Sequence, residues 1–292
     1  MYTSHMLSLL IFISLIFGLL IGSFLNVVIL RYGTGLPISR GRSMCPSCGK
    51  TLHWYELIPF LSFIWQRGRC TACSSRISWQ YPLVEVLTAV LFICVTVRQY
   101  ALYPVYASFP HGLLYSGLFV LYYWIIVSLL VVIAFYDMRH KIIPQKLVYT
   151  FMTLSVAKLA LFFYCLKVSL FAFPYIYDLI APLILFLPFW FLWKVSGGHW
   201  IGFGDAKLAF GMGALLGFIG GVSAIILGFW IGAVSCIIML ALARLMPEIV
   251  RNIGWKSEVP LAPFLILGLL IVLFSHIDVL GISHFFTPYA LP

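Results

Sequence analysis

Of 292 residues only eight are acidic, and two of those eight stand where a carboxylate has chemistry available to it. Asp137 ends an apolar run in Ala134-Phe-Tyr-Asp137-Met-Arg-His140, and Asp205 opens another in Gly202-Phe-Gly204-Asp205-Ala-Lys207. An ionisable group near hydrocarbon is costly, by about 2.5 to 3.5 kcal/mol at the bilayer centre and less toward its edge. Such a group by default faces the protein interior and serves function. Two converged aspartates cannot readily both ionise, so they share one proton. The ionised member can activate water while the protonated one polarises a peptide carbonyl. That is peptide hydrolysis without a metal. Gly202 and Gly204 would let a substrate backbone approach closely, and Lys207 could bias the pair toward ionisation. A purely structural alternative stands beside this: the aspartates pair with Arg139, His140 or Lys207.

A second constellation is Cys45-x-x-Cys48 and Cys70-x-x-Cys73, with 21 residues between the pairs. This is the paired-knuckle spacing of a structural zinc site, in which four thiolates complete a tetrahedron and leave no position for catalytic water. Pro46, Ser47 and Gly49 supply turn residues around the first pair. Disulfides are the alternative, but they are rare in a reducing compartment. The segment Arg31 to Tyr81 that carries the cysteines is too small to hold a large core, so a metal staple is the expected source of its fold. Cys94, Cys165 and Cys236 sit alone in apolar runs and read as packing residues.

The elements that must position these groups follow from composition. The chain is 63% hydrophobic and 9% charged, with a mean hydropathy of +1.08. Soluble domains carry about 25% charged residues, so this chain is mostly dissolved in lipid. Apolar runs at 6–30, 83–103, 113–136, 147–166, 175–193, 208–219, 222–243 and 259–275 give eight expected spans. The stretch from 208 to 243 would make a single helix of about 54 Å, against a hydrocarbon core of about 30 Å, so a hairpin is expected at Gly220 and Gly221. With the N-terminus outside, 15 of the 18 Lys and Arg fall in cytoplasmic loops, and only Arg98, Lys158 and Lys167 fall elsewhere. The first run lacks a preceding basic region and is too long for a signal core, so it reads as a retained anchor. Loop parity then brings Asp137 and Asp205 to one cytoplasmic boundary.

The remaining acidic residues need no special role on this reading. Glu56, Glu248 and Glu258 read as solvated loop charges, Glu85 lies at the inner mouth of the second span, and Asp178 and Asp278 lie near outer ends. The spacings Gly213-x-x-x-Gly217-x-x-x-Gly221 and Gly228-x-x-x-Gly232 put small residues on one helix face for close packing. The net charge of +10 is dispersed through loops facing an anionic leaflet, not gathered on a nucleic-acid-binding module.

Taken together, the motifs resemble the type IV prepilin leader peptidases, which also act as N-methyltransferases. The resemblance rests on Gly22-Ser-Phe-Leu-Asn26-Val-Val-Ile-Leu-Arg31, Gly41-Arg-Ser-Met-Cys45-Pro-Ser-Cys48 and Leu52-His-Trp-Tyr-Glu56-Leu-Ile-Pro59. It continues through Gly68-Arg-Cys70-Thr-Ala-Cys73, Tyr81-Pro-Leu-Val-Glu85, the Asp137 segment running to Pro144, and Gly202-x-Gly204-Asp205-x-Lys207. It implies an inner-membrane aspartic peptidase that removes the basic leader of prepilins and pseudopilins after a glycine on the cytoplasmic side. S-adenosylmethionine would then methylate the new N-terminal residue. It also implies Asp137 and Asp205 as the catalytic pair and Cys45, Cys48, Cys70 and Cys73 as the zinc cage. Two departures stand out: Gln145 and Leu57 occupy positions where many members carry Asp and Asn.

The expected protein is therefore an all-α polytopic membrane protein of about eight transmembrane helices with a small zinc-knuckle cytoplasmic loop domain. Its parts are a first anchor (1–30), the zinc loop (31–82) and a seven-helix membrane domain carrying the dyad (83–292). Its expected partners are prepilins, pseudopilins and the lipid bilayer, with no nucleic acid. Two rivals remain: a presenilin-like intramembrane aspartic protease without methylation, and a transporter with a zinc-stapled cytoplasmic plug. The transporter would need ionisable residues along a midplane pathway, where only Lys158 comes near.

Overall fold

The computed structural model describes residues 2–107, 111–166, 173, 175–245 and 259–281. Among them every regular element is helical: α1 (Tyr2–Arg31), α2 (Leu61–Trp65), α3 (Gln80–Ala101), α4 (Tyr103–Ala107) and α5 (Gly112–His140), then α6 (Gln145–Leu166), α7 (Tyr175–Ser196), α8 (Phe203–Leu245) and α9 (Ala262–Ser275). Lipid offers backbone amides no water to bond, so long apolar runs must satisfy their hydrogen bonds internally as helices. Six of these helices are long and apolar enough to cross a membrane, and α9 is a shorter apolar helix. The chain is a multi-pass membrane protein. Glu248, Glu258, Arg251, Lys256 and Lys167 lie outside the described residues.

The chain groups into two compact units, Met1–Val132 and Ile133–Pro292, divided inside α5. In the first, α1 and α3 run antiparallel at close range. A Cβ on Gly18 would meet Ala89 Cα at 2.4 Å, and one on Gly22 would meet Glu85 Cα at 2.7 Å. Ser14 and Thr96 share a hydrogen bond of 2.8 Å, and Asn26 Nδ2 donates to the Tyr81 carbonyl at 3.0 Å. These small and polar side chains do in lipid what burial does in water, since apolar contact alone gives helices little reason to associate there.

In the second unit α8 is the hub. Its first part runs parallel to α6, where Phe151 fills the space beside Gly211, and antiparallel to α7, where Gly213 lies against the Ala181 carbonyl. Its second part is antiparallel to α9, with Gly228 on Leu265 and Gly268 on the Ala224 carbonyl.

The division of the 208–243 stretch corrects the expected hairpin. The break falls at Gly217, with φ +76° and ψ −171°, and residues 220 and 221 are helical. Beyond it the chain folds back: a Cβ on Gly221 would lie 3.4 Å from Gly213 Cα, whereas eight residues of unbroken helix span about 12 Å. The spacing of Gly213, Gly217 and Gly221 is therefore not one face of one helix. Gly217 makes the turn, and its two neighbours in the pattern allow the arms to approach. Gly228 and Gly232 do share the face that meets α9. Only glycine adopts these angles at low cost. The Asp178 carboxylate further leaves no room for a side chain at 217, because a Cβ there would meet Oδ1 at 2.4 Å.

Candidate active site and metal centre

Asp137 lies in the last turn of α5 and Asp205 in the first turn of α8. Both are buried, at 5% and 8% exposure, so neither is a solvated boundary charge. The two carboxyls are close enough to interact electrostatically. Asp137 accepts a hydrogen bond from the backbone N–H of Ala262, which opens α9. Asp205 Oδ2 accepts from the Gly202 N–H at 3.2 Å, while the Asp205 N–H donates to the Gly202 carbonyl at 3.1 Å. Backbone groups thus orient both carboxylates. Arg139 and His140 point to the exposed side, and the pairing of aspartates with neighbouring cations is not what holds them.

Lys207 is buried, and its ammonium donates to Gln145 Oε1 at the start of α6. It also lies 4.4 Å from the Tyr149 ring centre and 4.6 Å from that of Phe203. Lys207 therefore ties the first turn of α8 to the first turn of α6. Gly204 is buried against Ile143, which fills the place a Cβ would take at 2.7 Å. Gly202 is exposed, and a Cβ there would meet Asp205 Oδ2 at 3.3 Å. Of the two glycines, Gly202 is the one whose bare backbone borders the carboxylate from the open side.

Chemically, a pair of interacting buried carboxyls can hold one proton between them, activating water at one oxygen and polarising a carbonyl with another. Burial strengthens both effects, because charge is poorly screened where water is excluded.

The four cysteines of the loop converge as expected. Their sulfurs all lie within 4.8 Å of one another, with Cys45 and Cys73 at 3.9 Å, and all four are free thiols. Thiolates about 2.3 Å from a tetrahedral zinc stand about 3.8 Å apart, so the cluster fits such an ion. The two knuckles repeat one local structure. The Cys45 N–H donates to the Lys50 carbonyl and that of Cys70 to the Ser75 carbonyl, while the N–H groups of Gly49 and Ser74 return to Cys45 and Cys70, all at 2.9 Å. Bridges pair Met44 with Thr51 and Arg69 with Arg76. Backbone N–H groups of Cys48 and Ser47, with Ser75, lower the Cys45 thiol to about 6, whereas Cys48, despite the Lys50 N–H, is raised to about 11 by burial and the other three thiols.

Three residues in this molecule carry more than the sequence indicated. Glu56, expected to be a solvated charge, is buried and accepts from the His53 N–H, Lys50 Nζ and the Thr71 hydroxyl. Those donors, in the order His53, Thr71, Lys50, hold its carboxyl at about 2. Lys50 follows the first knuckle and Thr71 sits within the second, so Glu56 latches the two together. Its signal was present as a capping arrangement, with Glu three residues after His53. Glu85 is also buried and receives the Phe60 N–H at 2.7 Å and the Ser23 hydroxyl. Asp178 receives the Phe218 N–H at the break in α8.

The family model described as the bacterial peptidase A24 N-terminal domain matches residues 16–99, and that of the type IV leader peptidase family matches residues 124–240. Similar proteins include three named prepilin leader peptidase/N-methyltransferase. One from Myxococcus xanthus is 35% identical, over 77% of this chain and 62% of its own length. One from Bacillus subtilis is 34% identical, over 49% and 51%. One from Aeromonas hydrophila is 31% identical, over 86% and 85%. The chain thus spans less than two thirds of the first two relatives and most of the third. No solved structure matches the chain. With family matches over both its N-terminal cysteine-bearing part and its aspartate-bearing helices, the chain belongs to the type IV leader peptidase family.

Proposed function

We propose that this protein is a prepilin leader peptidase in which Asp137 and Asp205 form the catalytic dyad. The observation that carries the reading is the placement of two buried, interacting carboxyls at the ends of two membrane helices, oriented by backbone N–H groups and bordered by the exposed Gly202. A prepilin is held by an apolar helix with its basic leader in the cytoplasm, so its scissile bond lies at a membrane boundary. The proposed orientation, N-terminus outside in the bacterial inner membrane, brings the dyad to that same boundary.

In the proposed reaction the ionised aspartate takes a proton from water as its oxygen attacks the carbonyl carbon of the glycine before the cut. The protonated aspartate donates its proton to the carbonyl oxygen. Collapse of the tetrahedral centre breaks the C–N bond, and the amine leaves with a proton returned through the dyad. Gly202 and Gly204 serve the substrate's approach and the packing beneath it, and Lys207 fixes the helix start on which Asp205 stands.

The relatives' names include N-methyltransferase, and we extend that activity to this chain. S-adenosylmethionine would supply a methyl group to the amine freed by cleavage. Zinc is the ion proposed for Cys45, Cys48, Cys70 and Cys73, where four thiolates would staple the 31–82 loop and leave no open coordination site. Pseudopilins are proposed as substrates alongside prepilins. The transporter alternative is weakened by Lys158, whose ammonium is spent on a helix end: it donates to the Leu215 carbonyl at 3.0 Å.

The test is leader removal from a synthetic prepilin by purified protein in vesicles, with a labelled methyl donor and mass spectrometry of both products. Asp137→Asn and Asp205→Asn are each expected to abolish cleavage while the protein still inserts. Full processing by either variant would sink the dyad assignment.

A further inference from the structure

The cysteine-rich loop does not simply project into water. Its middle is pulled back against the membrane spans, because the Phe60 N–H donates to Glu85 Oε2 at 2.7 Å and Ser23 of α1 bonds the same carboxylate. Ser23 lies eight residues before the end of α1 at Arg31, and Glu85 five residues after the start of α3 at Gln80. At about 1.5 Å per residue, Phe60 is held roughly 7 to 12 Å inside the ends of the two spans. Phe60 has φ +60°, a conformation that costs a non-glycine residue of order 1 to 3 kcal/mol and persists only where surroundings enforce it.

α2 starts at that point and is split by face. Phe63 turns inward, 4.8 Å from the Trp79 ring and packed over Gly68. Leu61, Ile64 and Trp65, at positions i, i+3 and i+4 and so on one helix face, are 58%, 55% and 87% exposed. Trp79 at the adjoining start of α3 is 75% exposed. The chain then leaves α2 through exposed Arg67 and Arg69, with Arg76 beyond them. Glu56, the one acidic residue between Arg31 and Tyr81, is already engaged by Lys50. An apolar face drawn in beside the ends of two membrane spans, followed at once by exposed basic charge, matches an anionic lipid surface in both polarity and sign.

We propose that Phe60–Trp65 is an interfacial wedge, with Leu61, Ile64 and Trp65 seated at the headgroup–acyl boundary and Arg67 and Arg69 on the phosphates of anionic phospholipid. The wedge anchors the metal-stapled loop to the bilayer surface at a third point, besides α1 and α3. Tryptophan suits this place, having an apolar body and a polar N–H for the wet side. The inference needs only the membrane spans and not the peptidase reading.

The experiment places a photoreactive benzoylphenylalanine at Leu61, Ile64 or Trp65, one at a time, in the full chain reconstituted into vesicles of phosphatidylethanolamine and phosphatidylglycerol. These positions are exposed, so the probe displaces no packing. After illumination, intact mass reads what each probe has captured. The expected result is phospholipid adducts at all three positions, enriched in phosphatidylglycerol over its share of the vesicle. Arg67→Gln with Arg69→Gln should lower that adduct yield severalfold, since each basic residue near an anionic surface is worth about fivefold in binding. Crosslinks only within the chain or between two copies, or no adduct at all, would overturn the wedge. Equal capture in vesicles of phosphatidylcholine alone would overturn the requirement for anionic lipid.

Discussion

The Phe218 N–H donates to Asp178 Oδ1 at 2.9 Å, directly after the glycine at which α8 breaks, so a side chain of α7 caps the second arm of α8. On the other side of the break, Lys158 of α6 donates to the Leu215 carbonyl, capping the end of the first arm, and lies within electrostatic range of Asp178. A broken helix inside a bilayer leaves orphan N–H and C=O groups that water cannot reach. An acidic residue meets the N-terminal end and a basic one the C-terminal end, each with the sign the helix dipole favours.

Gly217→Ala should therefore be among the most damaging single changes in the membrane part. It combines a backbone conformation open at low cost only to glycine, worth about 1 to 3 kcal/mol, with a contact no Cβ can make against Asp178. Asp178→Asn keeps an acceptor and should cost little. Asp178→Ala leaves the Phe218 N–H unpaired, at about 1 to 3 kcal/mol. Thermal unfolding in detergent should rank the three as Gly217→Ala, Asp178→Ala, Asp178→Asn from worst to mildest. Equal stability of the Ala and Asn variants at 178 would refute the cap.

The cysteine loop carries a pH signature of its own. Glu56 falls from an ordinary 4.5 to about 2 in the folded loop, through the His53 N–H, Thr71 and Lys50. A depressed carboxyl stabilises the fold above its unfolded value and loses that contribution as pH drops through the folded one. The stability difference between the natural protein and Glu56→Gln should be full above about pH 4.5 and should close toward pH 2. Hydrogen exchange over residues 43–77, corrected for intrinsic rates, would follow it; a difference independent of pH would show that the carboxylate's charge is immaterial.

What the sequence made legible depended on periodicity and spacing. The convergence of the four cysteines and the nearness of the two aspartates were readable because ligand spacing and scarcity of charge are linear features. The break at Gly217 was displaced by three or four residues, because the choice among glycines is made by Asp178, forty residues away, and a double glycine looks like the better turn in isolation. Glu85 was misread for the same reason, because its donor, the Phe60 N–H, comes from chain that only the fold brings near; Glu56 shares this through Thr71, although its His53 donor lies only three residues away.

Lys207 offers a test of positioning as distinct from chemistry. Its ammonium is satisfied by Gln145 Oε1 and the faces of Tyr149 and Phe203, and it forms no ion pair with either aspartate. A desolvated cation–π contact is worth about 2 kcal/mol or more. Lys207→Met should lower the unfolding temperature by several degrees and reduce leader removal, and Tyr149→Leu should reproduce part of both losses. The two changes made together should cost less than their sum, because both delete the same contact. Strict additivity would mean that Tyr149 and Lys207 act independently.

Close packing of α9 on α8 sets the last prediction, because Ala262 at the head of α9 donates its N–H to Asp137. A Cβ on Gly268 would meet the Ala224 carbonyl oxygen at 2.1 Å and the Gly228 nitrogen at 2.7 Å, and one on Gly228 would meet Leu265 Cα at 2.9 Å. These obstacles are backbone, which cannot swing aside, whereas Gly232 faces only the Phe264 ring at 3.4 Å. Gly268→Ala and Gly228→Ala should force the helices apart and cost leader removal as well as stability, since the shift is transmitted to the Ala262 N–H. Gly232→Ala should be close to neutral. Parallel measurement of unfolding temperature and cleavage rate in the three variants decides it, and a severe defect at 232 with none at 268 would overturn the packing order.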